Sequence, residues 1–212
     1  MTLPRGLSTR RLLGLDRSGP PPPETREGEP LNPWTIPNGI GFARLALLPV
    51  FLVSALGSGD GRTALAATLY AVVAGTDYLD GLVARLTGQY SRLGTLLDPL
   101  VDRLLVLAGI VVTWHFELLP RWALAILAAR ELFMLLMTRF ALSRGVELNV
   151  NWLGRIGVFP TMFALWFAQV SVSWVAEAFL YLGLAFTLAA TVLYVREGLQ
   201  AMRDEKTPSS ST

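Results

Sequence analysis

The sequence predicts an all-α, polytopic membrane protein in which six transmembrane helices lie between two cytoplasmic termini. The first observation is composition: 52% of the 212 residues are hydrophobic, 16% are charged, and the mean hydropathy is +0.47. A soluble domain of this length is rarely so apolar. The second observation is a series of six apolar segments, each close to the roughly 20 residues that cross a hydrocarbon core. The third is the concentration of arginines in alternate breaks between these segments.

The six segments follow one another from residue 38 onward. Turn-forming residues mark the breaks, as in the run from Gly57 to Gly61 and at Gly88 and Gly145. Because backbone polar groups must bond internally in lipid, we expect every segment to be helical. The predicted spans are 38–57, 63–86, 93–116, 119–143, 150–172 and 174–196.

Arginine placement predicts the orientation. One side would carry the N-terminal tail, the breaks near residues 85–92 and 139–144, and the C-terminus, whereas the other carries essentially Arg62 and Arg121. By the positive-inside rule the arginine-rich side is cytoplasmic. We therefore expect a disordered or amphipathic cytoplasmic tail at 1–31, a membrane domain at 32–200 and a polar cytoplasmic tail at 201–212.

Residue content excludes several kinds of site. The chain has no cysteine and a single histidine, His115, so thiolate and multi-histidine metal sites are excluded. A net charge of +2 gives no indication of nucleic-acid binding. Any metal ion in this protein must therefore be held by oxygen ligands.

Four aspartates lie in the second and third segments, where an ionised carboxylate costs roughly 2.5–3.5 kcal/mol on insertion scales. Asp77 and Asp80 share one helix face, and Asp98 and Asp102 share another. In an antiparallel hairpin turning near Gly88, the two pairs lie at matching depths. We therefore expect the four carboxylates to converge in one cavity that is open to the cytosol.

Four clustered carboxylates repel one another unless a cation compensates them. A single acid could pair with an arginine, but Arg85 and Arg103 are expected to be too few and too peripheral to neutralise all four. Hard divalent cations such as Mg²⁺ or Mn²⁺ prefer carboxylate ligands, and four acids can hold two ions. A two-metal site suits displacement at phosphorus.

Small residues are interleaved with the acids at Gly81, Ala84 and Gly94. Small side chains let a bulky ligand or a facing helix approach the backbone closely. Taken alone they would indicate helix packing, but their interleaving with the acids favours a ligand pocket.

The complete pattern resembles the signature of the CDP-alcohol phosphotransferase (CDP-alcohol phosphatidyltransferase) family, with all eight positions present over 26 residues. The opening Ile36–Ile40 with Arg44, and Ala129-Arg130-Glu131 in the fourth segment, are also similar to bacterial members. The signature reads Asp77-x-x-Asp80-Gly81-x-x-Ala84-Arg85, eight residues, and Gly94-x-x-x-Asp98-x-x-x-Asp102.

The resemblance implies a six-helix membrane enzyme, usually a homodimer, that transfers a phosphatidyl group from CDP-diacylglycerol to an alcohol and releases CMP. It implies two Mg²⁺ or Mn²⁺ ions and a site that faces the cytosol from the plasma membrane. Asp102 would also act as general base on the acceptor hydroxyl. The implied metal ligands are Asp77, Asp80, Asp98 and Asp102. The implied cytidine diphosphate pocket is lined by Gly81, Ala84, Arg85 and Gly94.

The acceptor is predicted from the start of the fifth segment. Family members that use glycerol 3-phosphate usually show Gly-Lys-x-Lys-Thr, where cationic side chains can grip the phosphate. This chain has Gly154-Arg155-Ile156-Gly157-Val158 and is similar here to actinobacterial cardiolipin synthases. We expect phosphatidylglycerol as the acceptor, with glycerol 3-phosphate as the alternative. The acceptor phosphate could be met by Arg155, Arg139 or Arg144.

The alternatives to an enzyme are a divalent cation transporter and a non-catalytic member of the family. A divalent cation transporter would need polar residues across the whole membrane, but the first, fifth and sixth segments offer few beyond Arg44, Thr161 and Gln169. A non-catalytic family member is disfavoured because no signature position is missing. A cavity that opens to one side describes an enzyme better.

Overall fold

A computed structural model describes residues 30–143 and 152–205, with side chains described for 30–137 and 157–196. Over these residues the chain forms six helices and no strand, which confirms the predicted all-α class. Each helix begins and ends within two residues of its predicted span, except that the last runs on to Glu205. The helices are α1 (Ile36–Leu56), α2 (Ala64–Thr87), α3 (Arg92–His115), α4 (Arg121–Ser143), α5 (Trp152–Val170) and α6 (Trp174–Glu205).

Residues 1–29 of the predicted N-terminal tail and 206–212 of the predicted C-terminal tail lie outside the described residues. Residues 201–205, which were assigned to the C-terminal tail, belong to α6. The helix continues past the last apolar run and through Gly198, and no proline interrupts it before Glu205.

Local sequence explains where α1 begins and where α2 and α3 separate. Thr35 caps α1, and its side chain accepts a hydrogen bond from the Asn38 backbone N–H at 3.3 Å. Pro37 lies in the first turn, where its missing N–H costs no helical bond. Gly88 adopts a φ of +67° between α2 and α3, a conformation that other residues rarely tolerate. The predicted turn of the hairpin is therefore at the expected residue.

The described chain divides into two compact units, and residues 30–57 and 64–108 form the first. In this unit α1 packs along α2, and the rings of Phe51 and Tyr70 meet edge to face at 5.4 Å between centroids. Gly41 of α1 lies against Leu97 of α3, whose Cδ2 would be 2.6 Å from an added Cβ. All four signature aspartates belong to this unit.

The second unit comprises residues 58–63, 109–143 and 152–205. Its most extensive pairing is between α5 and α6, and α4 also packs on α6. Phe163 and Phe179 lie 4.5 Å apart between centroids, and Trp122 stacks on Tyr181 at 5.6 Å. Gly183 allows α6 to approach the α5 backbone, as small residues do in membrane helix pairs.

Large apolar side chains are exposed on every one of the six helices. Surfaces of this extent are unusual on soluble monomers and are expected where a protein meets lipid or another protein. Within the part of the chain that the structure describes, two spans are long and apolar enough to cross a membrane, Ile36–Leu56 and Trp174–Arg196, each with a mean hydropathy of 2.0. Representative exposed residues are Val53, Leu65, Val111, Trp122, Phe159 and Val192.

The remaining helices contain no such span for two reasons. In α2, α3 and α4 the apolar run is interrupted by charged residues such as Asp77, Asp98 and Arg130. In α5 the apolar stretch among the described side chains is shorter, Gly157–Val170. The fold is therefore consistent with a membrane protein, and the six-span topology with cytoplasmic termini stays a prediction.

The contact between α5 and α6 gives a prediction about stability. A Cβ on Gly183 would lie 2.8 Å from the backbone nitrogen of Thr161 and 3.0 Å from its Cα. We expect Gly183→Ala to lower the Tm of the purified protein by several degrees, because overpacking against backbone costs about 1–3 kcal/mol. The measurement is a thermal melt in detergent.

Gly75→Ala is the matched control, because no atom lies within 4 Å of its added Cβ. Alanine is the better helix former by about 0.8–1.0 kcal/mol, so the Tm should stay the same or rise. An equal loss of Tm in both variants would contradict the proposed close contact.

Candidate active site

The acids lie on two neighbouring helices of the first unit. Val73, Asp77 and Asp80 are spaced i, i+4 and i+7 along α2, which places them on one face. Asp98 and Asp102 are one turn apart on α3. Sequence spacing therefore predicted the helix positions of all four acids.

A buried guanidinium from α1 joins three of these acids. The Nη1 of Arg44 donates to Asp77 Oδ1 at 3.0 Å and to Asp80 Oδ2 at 3.1 Å, and its Nη2 donates to Asp102 Oδ1 at 2.8 Å. Its Nε donates to the backbone carbonyl of Val73 at 3.0 Å. Arg44 thus connects α1 to α2 and α3, the hairpin that carries the four aspartates and is called the acid hairpin below.

The acids around Arg44 differ in their exposure. The side chain of Arg44 is 1% exposed and that of Asp80 is 5% exposed, whereas Asp102 is 32% and Asp77 is 44% exposed. Asp80 therefore forms the inner part of the cluster, and Asp77 and Asp102 remain accessible from outside it.

The cation seen to contact three of the acids is Arg44 of α1. The prediction that the nearby arginines are too few to neutralise the acids concerned Arg85 and Arg103, whereas Arg44 was named only for the family resemblance and as a polar residue of the first segment. The sequence did contain a signal: an arginine eight residues inside a strongly apolar helix needs an acidic or carbonyl partner at the same depth. Which acids it would meet depends on how α1 packs, and helix spacing does not give that.

A cavity of about 70 Å³ lies beside the cluster. Asp80 and Asp98 line it, but Asp77 and Asp102 are not among its lining residues. Asp80 therefore belongs both to the lining of this cavity and to the cluster around Arg44, and the convergence of all four acids in one cavity stays a prediction. The other lining residues are Pro37, Asn38, Gly81, Ala84, Gln89, Tyr90, Ser91, Gly94 and Thr95.

Three of the four residues predicted to line the nucleotide pocket do line this cavity, namely Gly81, Ala84 and Gly94. Arg85 is not among the lining residues. Its guanidinium lies over Gly81, with Nη1 3.4 Å from where a Cβ would be. An added methyl group at Gly81 would make ordinary van der Waals contact with the Arg85 guanidinium.

Polar residues that sequence analysis missed close one wall of the cavity. The Ser91 hydroxyl donates to Asn38 Oδ1 at 2.8 Å and accepts from the Gly94 backbone N–H at 3.0 Å. The Asn38 side-chain amide donates to the backbone carbonyls of Asn32 and Pro33 at 2.9 and 3.2 Å. The start of α1 is thereby fastened to the start of α3.

A second contact fastens the same region from the turn. The Gln89 side-chain oxygen accepts from the Ile36 backbone N–H at 3.0 Å. These bonds pass between segments more than 50 residues apart in sequence, so single-helix patterns could not predict them.

The side chains of this site that could coordinate a divalent cation are its carboxylates. Among the described residues, no three acidic or histidine side chains are gathered as a ready-made metal site. The contacts of Arg44 use one oxygen each of Asp77, Asp80 and Asp102, and Asp98 is not among its partners. Four carboxylates with further oxygens to offer are chemically suited to Mg²⁺ or Mn²⁺. The residue types therefore fit such an ion, and metal binding at this cluster stays a prediction.

A second buried polar cluster lies in the second unit. Arg130 pairs with Glu131, and its Nε donates to the Thr191 hydroxyl at 3.2 Å. Both charged side chains are buried, and the hydrogen bond ties α4 to α6. This cluster has a structural role in the packing of these two helices.

The predicted acceptor residues are less defined. Arg139 and Arg155 lie in α4 and α5, but their side chains are outside the described ones, and Arg144 lies outside the described residues. Their assignment to the acceptor phosphate stays a prediction.

Comparison with known proteins gives the family. The CDP-alcohol phosphatidyltransferase family model matches residues 34–189. Cardiolipin synthase (CMP-forming) of Streptomyces coelicolor is 39% identical over 170 residues, covering 76% of this chain and 77% of the relative. A putative cardiolipin synthase of Mycobacterium tuberculosis is 32% identical over 182 residues, covering 80% and 85%.

A relative with a different name matches over a similar range. CDP-diacylglycerol–glycerol-3-phosphate 3-phosphatidyltransferase of Bacillus subtilis is 28% identical over 190 residues, covering 80% of this chain and 98% of the relative. The range matched by the family model, 34–189, includes both helices that carry the acids and the α1 segment that carries Arg44. The chain therefore belongs to the CDP-alcohol phosphatidyltransferase family and is an enzyme of phospholipid synthesis.

Proposed function

We propose that this enzyme transfers a phosphatidyl group from CDP-diacylglycerol to phosphatidylglycerol, which forms cardiolipin and releases CMP. The acceptor hydroxyl oxygen forms a bond to the phosphorus that carries the diacylglycerol. The bond from that phosphorus to the CMP oxygen breaks, and the hydroxyl proton passes to a carboxylate. The cavity beside Asp80 and Asp98 is lined by Gly81, Ala84 and Gly94, which supports its use as part of the site for the nucleotide end of the donor.

The observation that carries the choice of acceptor is the packing of Gly157. A Cβ at this position would lie 2.8 Å from Thr187 Cγ2, 3.0 Å from Phe186 Cβ and 3.0 Å from the Thr187 backbone nitrogen. A lysine, such as glycerol 3-phosphate enzymes usually carry here, would not fit against α6 without a shift of that helix. The absence of this second cation favours an acceptor with fewer phosphate charges. The 39% identity to a cardiolipin synthase supports the same acceptor.

Glycerol 3-phosphate is the second candidate acceptor. The Bacillus subtilis relative named for this acceptor matches over 98% of its own length. Arg155, with Arg139 or Arg144, would then have to bind the phosphate without a partner at position 157.

The carboxylates carry out the chemistry in this proposal. Asp77, Asp80, Asp98 and Asp102 would hold two divalent cations, which supply charge neutralisation of the diphosphate when bound. Asp102 accepts the proton of the acceptor hydroxyl. Arg44 contacts only Oδ1 of Asp102, and the side chain is partly exposed, which supports its access to an acceptor.

Gly81, Ala84, Arg85 and Gly94 would surround the cytidine diphosphate in the proposed complex. The small side chains keep the cavity open, and Arg85 supplies a positive charge that suits a phosphate. The arginine-rich breaks between helices support a location of this region on the cytoplasmic side of the plasma membrane. Assembly as a homodimer is proposed from the family resemblance.

Within this proposal, the first prediction concerns the acceptor. With purified protein, CDP-diacylglycerol and Mg²⁺, we expect CMP release with phosphatidylglycerol to exceed release with glycerol 3-phosphate by at least about tenfold, a difference of 1.4 kcal/mol in transition-state binding. The measurement is CMP release together with identification of the lipid product. Turnover with glycerol 3-phosphate alone would replace the proposed activity with that of the second candidate.

The second prediction concerns the general base. Asp102→Asn keeps the size of the side chain and can still bond to a neighbour but cannot accept the proton at neutral pH. We expect kcat to fall by about 10²–10⁴-fold, the usual contribution of a positioned base. The measurement is CMP release under saturating substrates, with CMP binding and Tm as checks on folding.

Glu117→Gln is the control, because Glu117 is exposed and pairs with Arg121 at 2.9 Å. It should leave kcat unchanged. Full turnover in Asp102→Asn would remove Asp102 from the role of base while leaving the family reaction intact.

The third prediction concerns the nucleotide pocket. A Cβ on Gly94 would lie 2.9 Å from Asn38 Oδ1 and 3.2 Å from Ser91 Oγ, so Gly94→Ala must displace the polar wall of the cavity. We expect the KM for CDP-diacylglycerol and the Kd for CMP to rise about tenfold, because misplaced pocket groups weaken donor binding. CMP binding can be followed by calorimetry.

Gly39→Ala is the matched control in α1, since no atom lies within 4 Å of its added Cβ. It should bind CMP as the wild type does. An unchanged Kd in Gly94→Ala would mean that the nucleotide binds elsewhere.

A further inference from the structure

We propose that Arg44 is an internal counter-ion: it occupies oxygens of the acid cluster before a divalent cation binds and competes with the cation for them. Arg44 would then hold the empty site together and set its affinity for metal. The inference rests on the proposed function, in which the same carboxylates are the metal ligands. It makes Arg44 a positioning residue.

The contacts of Arg44 are of two kinds. Three carboxylates accept from its Nη atoms at 2.8–3.1 Å, and these are the oxygens that a divalent cation would also seek. The Val73 carbonyl accepts from Nε at 3.0 Å and carries no charge. The bond to Val73 does not involve the acids, so the guanidinium keeps an anchor when a carboxylate changes its partner.

Charge explains why Arg44 does not replace the metal. One guanidinium faces three carboxylates, which leaves an excess of two negative charges within its own contacts. Asp98, which lies on the cavity, is not one of its partners. The cluster therefore remains negatively charged. A divalent cation would neutralise this charge and would displace Arg44 from some of the carboxylate oxygens.

Burial explains why the empty site needs Arg44. Asp80 is 5% exposed and Arg44 is 1% exposed, so water compensates this pair poorly. Removing one partner of a buried ion pair leaves an uncompensated charge and is strongly destabilising. A metal ion can supply the missing positive charge. The loss of folding stability in an Arg44 variant should therefore be smaller when metal is present.

A purely structural ion pair makes a different prediction. If Arg44 only fastened α1 to the acid hairpin, its removal would lower the Tm by the same amount with and without metal. It would also leave metal affinity unchanged or weaker. The two roles therefore differ in readouts that do not require turnover.

The test uses Arg44→Gln and Arg44→Lys in the full-length protein in detergent. Thermal melts are recorded in EDTA and in saturating Mn²⁺, and Mn²⁺ binding is measured by EPR. For Arg44→Gln we expect a Tm loss of roughly 10 °C in EDTA, as for a broken buried ion pair, and at least half of it recovered in Mn²⁺. The Kd for Mn²⁺ should fall by about tenfold or more, because a competing unit charge is gone.

Arg44→Lys keeps the charge but cannot bond to three carboxylates at once. Its Tm in EDTA and its Kd for Mn²⁺ should lie between those of the wild type and Arg44→Gln, and it serves if the glutamine variant does not fold. Arg130→Gln is the matched control, a second buried arginine whose partners are Glu131 and Thr191. Its loss of Tm should be the same in EDTA and in Mn²⁺.

The outcomes separate the inference from the proposed function. Wild-type protein that binds Mn²⁺, with Arg44 variants that behave like Arg130→Gln, would overturn the counter-ion and leave the metal site standing. Wild-type protein that binds no Mn²⁺ would overturn both. Recovery of Tm by Mn²⁺ together with tighter binding in the Arg44 variants would establish the counter-ion.

Discussion

The ion-pair cluster around Arg44 is the interaction on which the rest of the first unit depends. One side chain from α1 contacts two acids on α2 and one on α3 and also bonds to the α2 backbone. Apolar packing between helices is not directional, whereas these bonds fix the rotation and the depth of all three helices relative to one another. The position of the candidate cavity follows from that alignment.

Small residues allow the helices to approach as closely as the Arg44 ion pairs require. Gly41 lets α1 approach Leu97 on α3, and Gly94 leaves space for Asn38 and Ser91 at the mouth of the hairpin. Each position has a neighbour that an added methyl group would meet at 2.6–2.9 Å. The short separations bring the Arg44 side chain within reach of both acid-bearing helices. Close approach and ion pairing therefore support each other.

Sequence predicted the parts of the site that repeat along a single helix and missed those that arise between helices. Apolar runs and turn residues predicted the positions of all six helices. The spacing of Asp77, Asp80, Asp98 and Asp102 predicted that each pair of aspartates shares one face of its helix. The partner of the acids was missed because Arg44 lies more than 30 residues away in sequence, and only tertiary packing selects it. The bonds from Asn38 to Ser91 were missed for the same reason. A charged side chain in the middle of an apolar helix predicts that an oppositely charged or polar partner exists. The packing of the helices decides which residue is that partner.

The gradient of exposure across the cluster fits the proposed division of labour among the acids. Asp80 is buried beside Arg44 and also lines the cavity, as a ligand shared between cation and donor would be. Asp102 is 32% exposed, so an acceptor hydroxyl can reach it without passing through the nucleotide cavity. In the proposed reaction donor and acceptor are both lipids, and each needs its own approach to the site because neither can leave the membrane easily. The partial exposure of Asp102 and the separate cavity lining beside Asp80 are consistent with two such approaches.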